Sequence, residues 1–117
     1  MGVSNFDKQA ATTRLELRFE LRTIVGVKKL LEQQHNIRST AEARGDMVSI
    51  DMLADLENAI YQAELTALQA RCIDLRYNQD LTMTDTALRM GVDTSTASRN
   101  TRSALKKIAD VYTAWEY

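Results

Sequence analysis

Residues 82–99 read TMTDTALRMGVDTSTASR, and the fold is decided here. Thr82-x-x-Asp85 has the form of a capping box, with Asp where Glu or Gln is usual, and it opens a short helix from Met83 to Met90. Gly91 stops that helix where a left-handed C-cap is expected, since a residue without a Cβ enters that region freely. Val92 follows, and Asp93 is a good N-cap for the next helix. Two helices joined by a turn of three or four residues containing glycine have the sequence form of a helix-turn-helix. Ala87 is small where the first helix must approach the second, Val92 fills the angle between them, and Ala97 is the small inward residue of the second. A generic helical hairpin does not require this set.

The helix after Asp93 divides its faces. Ala97, Thr101, Ala104, Leu105, Ile108, Val111, Tyr112 and Trp115 form an inward stripe at helical spacing. Thr94, Ser95, Ser98, Arg99, Arg102 and Lys106 lie on the other side. Between Thr94 and Ala109 stand four bases, Arg99, Arg102, Lys106 and Lys107, and no acid, in a chain whose net charge is -1. Major-groove recognition asks for such an arrangement: a helix that fits the groove, short hydroxyls near its N-terminus, and Arg that pairs bidentately with guanine. Lys and Arg further along meet phosphates. The residues expected to bind DNA are therefore Thr82, Thr94, Ser95, Thr96, Ser98, Arg99, Arg102, Lys106 and Lys107. Ser95, Ser98, Arg99 and Arg102 address bases or nearby phosphates, while Lys106 and Lys107 hold the backbone.

The rest of the chain reads as helical support. Its 117 residues are 44% apolar and 26% charged, with no Pro and four Gly, which argues against turn-rich β folds and wholesale disorder. Arg14 to Gln34 reads as a helix with the stripe Leu17, Leu21, Ile24, Lys28, Leu31, although the alternation Leu15, Leu17, Phe19, Leu21 leaves a short strand open as the alternative. His35 to Met47 loses periodicity and is the linker candidate, with Arg44-Gly45-Asp46 as its turn. That tripeptide is also an integrin-binding sequence, but the chain starts without a secretion signal, so it reads simply as a turn. A second helix is expected from Ser49 or Asp51, with Leu53, Leu56, Ile60 and Ala63 on its buried face. A third is expected between Leu65 and Tyr77, opened by the capping box Thr66-x-x-Gln69, with Leu68, Cys72, Ile73 and Leu75 inward. Asn78-Gln79-Asp80 makes the following turn. The expectation is an all-α protein: an N-terminal helical region over 1–64, making a dimer or polymerase contact, then a helix-turn-helix module over 65–117 with a long C-terminal recognition helix.

At this point the chain resembles region four of bacterial sigma factors. The resemblance rests on Leu68-x-x-x-Cys72-Ile73-x-Leu75-Arg76-Tyr77, Asp80-Leu81-Thr82, Ala87-x-x-Met90-Gly91-Val92, Ser95-Thr96-Ala97-Ser98-Arg99 and Ala104-Leu105-Lys106-Lys107-Ile108-Ala109. It runs from about Leu65 to Val111 and implies promoter recognition through the helix-turn-helix, with contact to the polymerase flap. With no aromatic-rich melting region upstream, the chain looks more like the small sigma-like regulators of phages and mobile elements, including the ArpU and RinA group of late-gene activators. Three residues depart from the pattern: Thr86 and Asn100 stand where apolar residues are favoured, and Asp93 puts an acid beside the DNA surface.

Other residues offer no chemistry. Cys72 lies on an apolar helix face and reads as a packed thiol. His35, the sole histidine, lacks a partner for metal binding or catalysis and reads as a surface residue. Asp51, Asp55 and Glu57 read as a solvated face. Tyr112, Trp115 and Tyr117 are expected to cap the core, with a protein-protein contact as the alternative. No enzyme activity, cofactor, metal, small-molecule substrate or membrane span is expected, and the compartment expected is the bacterial host cytoplasm. The partners expected are double-stranded DNA, RNA polymerase, and a second copy through the first helix's apolar stripe. Two competing readings are a polymerase- or sigma-binding inhibitor that lost DNA, and a DNA-packaging recognition subunit.

Overall fold

The computed structural model describes residues 20–116, and within them every regular element is helical. Residues 14–19, with Leu17 and most of the strand-like alternation, lie outside the described residues, as does Tyr117. Helix α1 spans Ile24–Arg44, α2 Met47–Gln62 and α3 Ala67–Ile73, which continues as a π-helical segment over Asp74–Asn78. The helix-turn-helix pair follows as α4, Met83–Met90, and α5, Thr94–Ala114.

The first helix differs from its expected course at both ends. The chain turns at residues 21–23 rather than running as one helix to Gln34. Thr23 caps α1, its Oγ1 accepting from the Gly26 amide at 3.1 Å and donating to the Glu20 carbonyl at 2.6 Å. Gly26 allows the turn to fold onto the helix: a Cβ there would collide with the Glu20 carbonyl. Beyond Gln34 the helix continues through the supposed linker to Arg44. Periodicity fades there because only half-buried Ile37 and buried Ala41 face the interior among its apolar residues, while Arg38 and the run Ala41 to Arg44 are good helix formers.

The connection shrinks to Gly45 and Asp46. Gly45 takes the left-handed conformation, φ 66°. Asp46, not Ser49 or Asp51, caps α2: its carboxylate accepts from the amides of Val48 and Ser49 and from the Ser49 hydroxyl. Of the face expected on α2, Leu53 and Leu56 are buried and Ile60 and Ala63 half-buried, joined by Met52 and Ala59.

One apolar cluster spans both halves of the chain. Leu21, Val27, Leu30 and Leu31 meet Met52, Leu56 and Ala59, then Ile73 and Tyr77, then Leu105, Ile108 and Tyr112 of α5. Of the stripe expected to drive self-association, the described apolar residues are covered within the chain: Leu21 and Leu31 are buried and Ile24 is half-buried. Polar clips add to the packing. Gln34 Nε2 donates to Asn78 Oδ1 at 3.0 Å, and exposed His35 sits 3.2 Å from the Asn78 carbonyl through Nε2. Tyr112 is fully buried, and half-buried Trp115 packs edge-on against it at 5.4 Å while its Nε1 donates to Gln62 Oε1.

Candidate nucleic-acid interface

Local side-chain-to-backbone bonds build the frame of the site. Thr82 Oγ1 accepts the Asp85 amide at 3.1 Å. Only this half of the expected capping box forms, since an Asp side chain is one methylene shorter than Glu and does not reach back to the Thr82 amide. The full reciprocal box occurs instead at Thr66 and Gln69. At the turn Gly91 is left-handed, φ 68°, and the Val92 amide donates to the Ala87 carbonyl at 3.1 Å, which closes the end of α4.

Asp93 caps α5, accepting the Thr96 amide at 2.7 Å and the Ser95 hydroxyl at 3.0 Å. These bonds to Thr96 and Ser95, and the nearby Arg99 charge, hold its carboxyl below the ordinary aspartate range. The acid that departs from the sigma pattern is thus committed to helix geometry.

Behind the frame, α3, α4 and α5 close on small residues. Ala87, Ala97 and Cys72 are buried, and half-buried Val92 sits in the angle. The Cys72 Sγ lies 3.3 Å from Met90 Sδ and 3.7 Å from the Ala97 carbonyl, and burial pushes its thiol pKa up. It is packing, not a nucleophile. The other two departures differ in kind. Asn100 Nδ2 donates to the Thr96 carbonyl at 2.9 Å, whereas Thr86 is fully buried and its Oγ1 has no partner.

Leu68 is not inward as expected but 48% exposed. Buried Gln69 occupies the inner side of the first turn of α3, where its Oε1 accepts from Lys107 Nζ at 2.8 Å.

On the outer side of α5, Ser95, Arg99, Arg102 and Lys106 recur at i, i+4, i+7 and i+11 and are all exposed. Thr94 and Ser98 are also exposed, and Thr96 is half-buried with its Oγ1 3.4 Å from Arg99 Nη2. Arg102 carries no hydrogen bond or ion pair among the described residues. Lys106 pairs with Asp110 at 2.6 Å on the open surface, a contact worth little in water. Lys107 leaves the group, because its position on α5 turns it toward α3 and Gln69. Exposed Thr82 stands apart at the start of α4.

Sequence reasoning missed Arg89, an exposed base in the last turn of α4 just before the Gly91 turn. Its position two residues before the glycine was the available signal. The role of Gln69 as a brace for Lys107, thirty-eight residues away, had none.

This geometry agrees with a sequence comparison. Residues 63–110 match the family Sigma-70, region 4. The segment is thus a sigma-like, DNA-binding regulatory helix-turn-helix, and the match ends within α5, leaving α1 and α2 outside. No curated protein and no solved structure matches the chain. Among the described residues no helix is long and apolar enough to cross a membrane, and no cluster of metal-ligating side chains occurs.

Proposed function

We propose that the protein is a sequence-specific transcription regulator that sets α5 into the major groove at promoters and acts there with a host RNA polymerase. The observation that carries this reading is the exposed stripe Ser95, Arg99, Arg102 and Lys106, backed by a buried face and oriented by two capped helix starts. Arg99 and the hydroxyls of Ser95 and Ser98 read base edges; Arg102, Lys106, Thr82 and Thr94 meet phosphates, with Arg89 as a further cation from α4. Lys107 contributes as a brace that keeps one N–H on Gln69, and Thr96 orients Arg99. A few phosphate contacts from one acidic chain give modest affinity, so polymerase or a second copy supplies the remainder. Because Leu21 and Leu31 of the first-helix stripe are buried within the chain, a homodimer would use other surfaces, and Met47, Val48 and Tyr61 on α2 are exposed. In this reading it works like the small regulators of phages and mobile elements, in the bacterial cytoplasm.

The test is selection of duplexes from a random library, followed by binding to the best site and its single-base variants at several salt concentrations. Arg99→Ala should cost ~1–3 kcal/mol and relax preference at one base pair. Arg102→Ala should weaken all sequences alike and lower the salt slope by about one unit. Failure to enrich any sequence would overturn the reading.

A further inference from the structure

A cleft of about 470 Å3 lies between the start of α1 and the middle of α5, lined by Ile24, Arg102, Ser103, Lys106 and Lys107. Three of these are cations, one is a hydroxyl, and none is a carboxylate. Arg102 has no polar partner among the described residues, and Lys106 and Lys107 each use one of three ammonium donors, on Asp110 and Gln69. The α1 wall adds no opposing charge: its first turn contains no acid. Lys28 stands one turn beyond Ile24 on the same flank, and its 3.9 Å contact with Glu32 is half-exposed and weak. The cleft thus offers an anion three cations and a hydroxyl without an opposing carboxylate in its lining. Arg102 and Lys106 belong both to it and to the outer stripe of α5, so a duplex lying on that stripe carries its backbone past the opening.

We propose that this cleft receives a backbone phosphate of the bound duplex, so that α1, outside the family match, acts as a second arm of the DNA interface. The proposal rests on the DNA-binding reading above and extends its footprint to the N-terminal half of the chain.

Ethylation interference on the full chain, bound to a selected duplex, tests it. Wild type should show a phosphate whose ethylation blocks binding and whose effect disappears in Ile24→Glu. That variant should bind severalfold more weakly, with a salt slope lower by about one unit. Ile24 also borders the core, so exposed Lys28→Glu serves as the fold-neutral companion and should shift affinity and slope in the same direction, with helicity and melting checked for both. If neither variant changes affinity, slope or interference while Arg99→Ala still loses its base preference, the α1 arm is refuted and the DNA reading stands. If wild type binds no duplex, both fall together. Inorganic phosphate binding at sub-millimolar concentration, with an unchanged interference pattern in Ile24→Glu, would mark a free-anion site and overturn the proposal.

Discussion

The molecule contains the same turn chemistry twice, with different results. After α1, Gly45 at φ 66° is followed at once by Asp46, which caps α2. After α4, Gly91 at φ 68° is followed by Val92 and only then by Asp93, which caps α5. Both glycines end a helix in the left-handed region, and both aspartates begin the next. The difference is one apolar residue. Without it, α1 and α2 fold back as a supporting hairpin; with it, Val92 is half-buried in the angle between α4 and α5, and the outer face of α5 is left open. The glycine and cap set where helices stop and start, while the inserted residue and the small residues around it set how they cross.

The largest effect is expected where the crossing itself is crowded. Ala97 is fully buried beneath the turn, so Ala97→Leu should overpack it and cost about 1–3 kcal/mol, read as a lowered denaturation midpoint, with DNA binding lost. Val48→Ala beside the other turn is 40% exposed and should change stability by less than about 0.5 kcal/mol. Equal losses at the two sites would contradict the distinction.

The glycines themselves should behave alike. Neither has an atom within 4 Å of an added Cβ, so only the left-handed backbone penalises a side chain. Gly45→Ala and Gly91→Ala should each cost about 1–2 kcal/mol by thermal or chemical denaturation. Only Gly91→Ala should alter the salt-dependent affinity for DNA.

Asp93 gives a pH signature. Its folded-state pKa is lowered, chiefly by hydrogen bonds with Thr96 and Ser95, so the unfolded chain takes up the proton first as pH falls. The stabilisation is complete above the ordinary aspartate pKa and is lost as pH drops through the lower folded value. Melting temperatures measured across that acidic window should fall less steeply for Asp93→Asn, which keeps the cap without the titration. An unchanged slope would show that the carboxylate charge is immaterial to the cap.

The smallest effect should be a gain. Thr86→Val removes a buried hydroxyl that has no partner and should stabilise the fold by up to about 1 kcal/mol in equilibrium unfolding.

Legibility in the sequence followed the range of the interactions. The caps at Thr66, Thr82 and Asp93 were readable because each side chain acts on backbone within four residues, and the stop at Gly91 because a glycine's own backbone enters the left-handed region. The all-helical fold and the outward stripe of α5 follow from local periodicity. The full extent of α1 was hidden because its last turns touch the core only through Ile37 and Ala41. The Asp46 cap was missed because a turn signal and a cap signal overlapped on adjacent residues. Lys107, counted among the DNA contacts, is drawn to Gln69 across thirty-eight residues, and Gln69 rather than neighbouring Leu68 is the buried residue there. Such pairings arise only once α3 and α5 are packed.

The central claim is that the outer stripe of α5 is the DNA-reading surface. Titrating the isotopically labelled full chain with a selected duplex and following backbone amide shifts tests it directly. The largest changes should fall on Ser95, Ser98, Arg99, Arg102 and Lys106, with α2 residues such as Met47 and Tyr61 unmoved. Changes concentrated on α2 while α5 remains silent would contradict the account.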